Sequence, residues 1–69
     1  MLVFVKDIQG KTVRLKVHPT DHFRRVKELI HRETGIRPGQ QRIMFAGKQP
    51  NDEARLVDYQ VQKECTLIL

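Results

Sequence analysis

Few residue types in this sequence could carry nucleophilic chemistry. The chain has no serine, and its one cysteine, Cys65, has no histidine near it in the sequence. A catalytic thiol needs a neighbouring base or cation that activates it. We therefore expect Cys65 to be a buried or half-buried structural thiol at the start of the last strand, and we expect the protein not to be an enzyme.

Two histidines have a spacing that could bind a metal ion. His18 and His22 stand at i and i+4, as the two histidines of a helical metal site do. Pro19 lies between them, where the sequence pattern changes from strand to helix, and this junction spoils the geometry of the pair. We predict no metal site and no cofactor.

The size of the chain limits what else it could do. With 69 residues there is room for one domain, and a core this small seldom gives more than about 3–5 kcal/mol of net stability. A large buried cofactor cavity is therefore not expected. No apolar run approaches the roughly 20 residues of a membrane span. The single cysteine excludes an internal disulfide and fits a cytoplasmic or nuclear location.

Basic residues are in excess and give the chain a second kind of candidate site. Thirteen Lys+Arg against eight Asp+Glu give a net charge of +5, which makes nucleic acid or an acidic protein a partner worth testing. The candidate basic flank contains Arg14, Lys16, His18, Arg24 and Arg25. RNA is the less favoured partner, because Phe4 is the only aromatic residue predicted to be exposed for base stacking.

The elements that must position these residues begin with a hairpin. Residues 1–17 alternate between apolar and polar with the period of a strand. The polar turn at 7–10 ends in Gly10, which gives the turn the conformational freedom that a hairpin needs. The inward residues are Met1, Val3, Val5, Val13, Leu15 and Val17.

A helix follows the hairpin. Its apolar face contains Phe23, Val26, Leu29 and Ile30. This spacing predicts a helix over residues 22–34. Thr20 and Asp21 are the candidate caps, and Gly35 is the predicted stop.

Shorter strands are predicted in the second half. Residues 41–45 alternate, residues 48–49 form a short strand before Pro50, residues 51–63 form loops with a short helical turn, and residues 65–69 form the last strand. The inward residues are Ile43, Phe45, Leu56, Tyr59, Val61, Leu67 and Leu69, and the outward ones are Arg42, Met44, Thr66 and Ile68. Strands on both sides of one helix predict an α+β fold with the helix across one face of the sheet.

Several short motifs are specific enough to be compared with a known family. They are FVK at 4–6, GKT at 10–12, GI-P at 35–38, QQR at 40–42, FAGKQ at 45–49, DY at 58–59, QKE at 62–64 and TL at 66–67. With these motifs the whole chain, from Met1 to Leu69, resembles the ubiquitin family. The segment GKQPNDE at 47–53 is also similar to the neddylation modifier.

The resemblance implies a β-grasp fold, with a mixed sheet of four to five strands packed on one helix. It implies one ubiquitin-like domain at 1–69 that lacks the C-terminal Gly-Gly tail. The solvent face of the sheet is then expected to be the binding surface. The residues that match the family's binding patch and its surroundings are Ile8, Met44, Ile68, Lys6, Arg42, Gly47, Lys48 and Gln49. The alternation alone already turns Met44 and Ile68 outward.

The resemblance carries three further expectations. Lys27 and Asp52 match an ion pair of the family, and Pro50 stands in place of a core leucine, which should cost some packing. The lysines at positions where ubiquitin is extended into chains are Lys6, Lys11, Lys27, Lys48 and Lys63.

Three functions remain open at this point. The favoured one is an interaction domain of a larger protein that docks onto ubiquitin receptors, the proteasome or a ubiquitin ligase. The alternative is a covalent modifier whose tail is missing from this chain, and the third is a basic adaptor that binds RNA or an acidic protein. In each case we expect a monomer without membrane association, in the cytoplasm, the nucleus or both.

Overall fold

Three strands and one helix form the fold of this protein. A computed structural model describes all 69 residues. The strands are β1 (Leu2–Lys6), β2 (Thr12–Lys16) and β3 (Thr66–Ile68), the helix is α1 (Phe23–Thr34), and two short 3-10 helices span Pro38–Gln40 and Leu56–Tyr59. The order of these elements confirms the predicted α+β class. No helix in the structure is long and apolar enough to cross a membrane.

The hairpin of β1 and β2 forms where the alternation predicts it. The sheet has the order β2-β1-β3, with β2 antiparallel and β3 parallel to β1. In the turn, Oδ1 of Asp7 accepts hydrogen bonds of 2.9 Å from the backbone N–H groups of Gln9 and Lys11. Gly10 has a φ of 85°, which a glycine adopts without the steric cost of a side chain. The mixed sheet agrees with the predicted β-grasp.

The sheet has three strands and not the four to five predicted. The segment 41–45 contributes only an isolated bridge, in which Met44 pairs with Ile68. Hydrogen-bonded pairs recur at every second residue of an antiparallel ladder, so the next pair on one side would need the position after Leu69. On the other side it would need Ala46, whose φ of 54° belongs to a turn. Within this chain the ladder therefore consists of one pair.

The predicted strand at 48–49 is also a single bridge. Phe45 and Lys48 exchange two backbone hydrogen bonds of 2.9 and 3.0 Å. Pro50 cannot extend this ladder because it has no N–H group. Pro50 is buried. It therefore fills part of the interior, although proline is smaller than the leucine that the family has at this position.

Helix α1 begins at Phe23, one residue later than predicted. Its N-cap is His22, so the prediction of Thr20 or Asp21 was wrong. Oδ2 of Asp21 accepts a hydrogen bond of 2.9 Å from the backbone N–H of His18. Asp21 therefore caps the turn that precedes the helix, and it makes no side-chain hydrogen bond to the helix itself.

The first N–H groups of α1 are satisfied by a distant loop. The N–H of Phe23 donates to the carbonyl of Ala54, and the N–H of Arg24 donates to the carbonyl of Asp52, at 2.9 and 3.0 Å. The four N–H groups at a helix start need partners from outside the helix. Here tertiary contacts supply two of them, so a side-chain cap is not required.

The other end of α1 is as predicted. Gly35 has a φ of 79°, and its N–H donates to the carbonyl of His31 at 2.8 Å. The buried side chain of Gln41 then ties the helix to the segment that follows, because its Nε2 donates to the carbonyls of Lys27 and Ile36, each at 2.9 Å.

The core lies between α1 and the inner face of the sheet. It contains eleven buried apolar residues, all of them predicted to face inward: Val3, Val5, Leu15, Val17, Phe23, Val26, Ile30, Ile43, Leu56, Val61 and Leu67. The rings of Phe23 and Tyr59 meet edge to face, with their centroids 5.7 Å apart. Phe4, predicted to be exposed, is half-buried.

Candidate protein-binding surface

The side of the sheet that faces away from α1 is the candidate surface, and we call it the outer face. Residues that pair across neighbouring strands project to the same side of a sheet. Since Val3, Val5, Leu15 and Leu67 are buried on the inner side, the alternate residues form the outer face. They are Leu2, Phe4 and Lys6 of β1, Thr12, Arg14 and Lys16 of β2, and Thr66 and Ile68 of β3.

One end of the outer face carries three exposed apolar side chains, Ile8, Met44 and Ile68, which we call the apolar patch. Ile8 is 91% exposed, Met44 36% and Ile68 48%. Met44 and Ile68 are held side by side by two backbone hydrogen bonds of 2.7 and 2.9 Å. Lys6 is the register partner of Ile68, and Ile8 follows Lys6 in the hairpin turn. Backbone pairing therefore holds Met44 and Ile68 at the surface, and the hairpin turn exposes Ile8 to solvent.

Three basic residues adjoin the apolar patch, through Ile68 and through the segment around Met44, and have no acidic partner. Lys6, Arg42 and Lys48 are exposed. The structure contains three salt bridges, and none of them involves these residues. Gly47 and Gln49 flank Lys48 and are also exposed. The structure thus places every residue of the predicted patch and of its rim at the surface.

The candidate basic flank does not form a single surface. Arg14 and Lys16 lie on the outer face, whereas Arg24 and Arg25 lie on α1, which packs on the inner side of the sheet. Nη1 of Arg24 is 2.6 Å from Oε1 of Glu53. The corresponding atom of Arg25 is 3.5 Å from Oε2 of Glu28. His18 is exposed at the end of the hairpin.

The five predicted linkage lysines differ in their accessibility. Lys6, Lys11, Lys48 and Lys63 are exposed. The side chain of Lys27 is only 13% exposed, and its Nζ lies 2.6 Å from Oδ1 of Asp52. The structure therefore contains the ion pair that the resemblance implied, and this pair occupies the amine of Lys27.

Cysteine and histidine have local structural contacts. Cys65 is half-buried and immediately precedes β3, and its Sγ accepts a hydrogen bond of 3.3 Å from the N–H of Gln62. Nδ1 of His22 is 2.7 Å from the carbonyl oxygen of Glu53. No group of three or more His, Cys, Asp or Glu side chains is arranged to hold a metal ion.

A groove next to the apolar patch was not foreseen from the sequence. It has a volume of about 680 Å³ and runs between the hairpin turn and the end of α1. Ile8, Arg42, Ile36 and Leu69 line it. The one signal in the sequence was Ile36, an apolar residue directly after the helix stop at Gly35. The groove extends the apolar patch around the edge of the domain.

Comparison with known proteins gives two kinds of relative. A family model described as the Ubiquitin family matches residues 3–69. Ubiquitin-like protein NEDD8 of Dictyostelium discoideum and Ubiquitin-like protein 1 of Schizosaccharomyces pombe are each 39% identical to this chain over 62 residues, which cover 90% of this chain and 80% of theirs. Ubiquitin-like protein 4A of Esox lucius is 39% identical over 69 residues, but this chain spans only 45% of its length.

Proposed function

Because this chain belongs to the ubiquitin family, we propose that it is a protein-interaction domain of a larger protein, which docks onto ubiquitin receptors, the proteasome or a ubiquitin ligase. The observation that carries this proposal is the apolar patch of Ile8, Met44 and Ile68, exposed among basic residues that have no partner within the chain. An apolar centre with a polar rim is typical of a protein-binding site.

The apolar patch has the energetic features of a modest interface. Complete burial of a methionine or isoleucine side chain contributes about 1.5–3 kcal/mol. The two hydrogen bonds between Met44 and Ile68 fix the backbone before a partner arrives, which lowers the entropic cost of binding. The thioether of Met44 can adapt to different partner surfaces.

The charges around the apolar patch define the complementary partner. Lys6, Arg42 and Lys48 favour carboxylates on the partner's rim and increase the rate of encounter with an acidic surface. The apolar centre favours a stripe of apolar side chains, such as one face of an amphipathic helix. We therefore expect the partner to be a helix with an apolar stripe flanked by Asp and Glu. Binding of this kind needs no catalytic group in this chain.

An NMR titration tests the proposal. Adding an acidic, amphipathic ubiquitin-interacting helix to the ¹⁵N-labelled protein should shift the resonances of Ile8, Met44 and Ile68. Met44→Ala should weaken binding about tenfold, as removal of a central interface side chain commonly does. Val57→Ala is the matched control, because Val57 is an exposed apolar residue outside the outer face. If no resonance of the apolar patch moved, the proposal would be wrong.

The second candidate function is that of a covalent modifier. It is favoured by the relative named NEDD8, since this chain matches 80% of its length. In this case the chemistry would lie in separate activating and conjugating enzymes, and the exposed lysines Lys6, Lys11, Lys48 and Lys63 would be candidate acceptors for chain extension.

The intact mass and C-terminal sequence of the gene product from cells separate the two functions. A terminal Gly-Gly, or adducts on other proteins, would establish the modifier. A much longer polypeptide would establish the docking domain. Fractionation of the same cells would test the proposed location in the cytoplasm, the nucleus or both.

A further inference from the structure

Strand β2 is an edge of the sheet, and one side of its backbone has no partner. Met1 and Val17 exchange two hydrogen bonds of 2.6 and 2.8 Å, and the N–H of Asp7 donates to the carbonyl of Lys11 at 2.9 Å. Because hydrogen-bonded pairs alternate along an antiparallel ladder, the odd-numbered residues of β2 face β1. The backbone N–H and C=O groups of the even-numbered ones, Thr12, Arg14 and Lys16, point away from the sheet.

The side chains on this edge are basic and unpaired. Arg14 and Lys16 are exposed on the outer face, and neither takes part in a salt bridge. Arg14 is the register partner of Phe4, and Lys16 is the register partner of Leu2. Both apolar partners are half-buried. The edge thus combines free backbone groups, two unpaired cations and an adjacent apolar strip.

We propose that the edge of β2 binds an extended acidic segment of a partner protein, which adds to the sheet as an antiparallel strand. Addition of a strand to a sheet edge is a known mode of peptide recognition. Arg14 and Lys16 are two residues apart, so their side chains lie roughly 7 Å apart along the strand. A segment with Asp or Glu at alternate positions places one carboxylate opposite each of them.

Two other occupants fit this edge less well. Single-stranded RNA would need aromatic side chains for its bases, and the outer face offers only Phe4, which is half-buried. A second copy of this chain paired edge to edge would bring the basic side chains of two β2 strands together, and like charges on neighbouring strands repel. Charge complementarity therefore favours an acidic peptide.

The direction in which the backbone N–H groups of the added strand point can be tested directly. In an antiparallel hydrogen-bonded pair, opposed residues exchange both backbone bonds and share one face of the sheet. The probe is a capped eight-residue peptide of alternating glutamate and threonine. One version carries N-methyl groups on its glutamate amides and another carries them on its threonine amides. Binding should be lost with the first and kept with the second.

Amide exchange and variants complete the test. The unmodified peptide should shift the amide resonances of Thr12, Arg14 and Lys16 and slow their hydrogen exchange. The double variant Arg14→Gln/Lys16→Gln should bind it about fivefold more weakly, as expected for two exposed ion pairs. Arg32→Gln/Arg37→Gln is the matched control, since it removes the same charge at exposed positions outside β2.

Three outcomes would overturn the proposal. The first is equal binding of both methylated peptides, which would show simple charge attraction. The second is binding of polyuridylate with shifts at Phe4 but no slower amide exchange in β2. The third combines two results: the Arg14→Gln/Lys16→Gln variant associates with itself, and the original chain does not bind the peptide. This would mean that the two charges only protect the edge from pairing with another copy of the chain. Met44→Ala should leave peptide binding unchanged, so this result is independent of the apolar patch.

Discussion

Basic side chains occur both on the outer face and at the contact between α1 and the loop at residues 51–57, but only the second site contains basic side chains with acidic partners, Lys27 and Arg24. In that contact Lys27 pairs with Asp52 and Arg24 pairs with Glu53, both at 2.6 Å. Five basic residues of the outer face and of the rim of the apolar patch have no salt bridge, namely Lys6, Arg14, Lys16, Arg42 and Lys48. The exposed Ile8 and Ile68 lie among the unpaired charges.

This difference separates stability from binding. The loop satisfies the first N–H groups of α1 and places Leu56 in the core, so substitutions there should be measured as changes in unfolding free energy. The exposed side chains of the outer face make no such contact, so substitutions there should mainly change the affinity for a partner. Predictions on one scale, the free energy of unfolding, test this separation.

The largest effect should come from Leu56→Ala. Leu56 is completely buried, and a Leu→Ala change in a core costs about 2–5 kcal/mol. A domain of this size has only about 3–5 kcal/mol of stability, so the variant should be largely unfolded near room temperature in urea titrations followed by circular dichroism. The neighbouring Val57→Ala, at a half-exposed position, is the control and should change stability little. Equal losses for the two variants would contradict the assignment of Leu56 to the core.

A smaller loss is expected for Lys27→Met. Methionine keeps most of the buried aliphatic stem of Lys27 and removes its ion pair with Asp52, whose side chain is half exposed. We expect a loss of about 1 kcal/mol, the upper range for ion pairs that water can still reach.

A double-mutant cycle isolates the ion pair from the packing of Lys27. The variants are Lys27→Met, Asp52→Asn and their combination, and urea titrations give the coupling free energy. A coupling close to zero would show that the paired charges do not hold the loop to α1, and the comparison between the two regions would lose its main support.

On the outer face, Ile68→Thr should change stability less than either of these. Ile68 is about half exposed, and threonine keeps the branched shape that suits a strand. We expect a loss of about 0.5 kcal/mol or less, typical of surface substitutions. The same variant should clearly weaken binding of the acidic amphipathic helix. A large loss of stability with unchanged binding would reverse the roles assigned to the two regions.

Local sequence patterns predict the hairpin, the helix and the core well. Alternation is a local property, so the inward residues Val3, Val5 and Leu15 could be read directly from it. The helix bounds differ from the predicted ones by one residue, because His22 replaces the predicted caps. That error has a tertiary cause: the carbonyls that satisfy the start of α1 come from Asp52 and Ala54, about thirty residues away along the chain.

The candidate surface depends on information that alternation does not contain. The pattern turns Met44 and Ile68 outward, but their contact is a bridge between distant segments, and only the resemblance to a known family brought them together. The sequence predicts one basic flank that contains both Arg14 and Arg24, and this prediction depends only on the excess of basic residues. Arg14 and Arg24 are separate because α1 packs on the inner side of the sheet, whereas Arg14 lies on the outer face. A count of charges does not contain this information.

The smallest effect is expected for Arg24→Gln, and it tests whether a short ion pair at the surface contributes to the fold at all. Arg24 and Glu53 are both exposed, so water and salt screen their interaction although their closest atoms are only 2.6 Å apart. We expect a loss of about 0.5 kcal/mol or less at low salt, and we expect it to disappear in 1 M sodium chloride, measured by urea titration. Arg32→Gln, at an exposed position without a salt bridge, is the control for the change in net charge. If Arg24→Gln cost as much as Lys27→Met in both salts, burial of the lysine stem would not distinguish the two pairs. A loss that survives 1 M salt would come from the hydrogen bond and the packing of the Arg24 side chain and not from its charge.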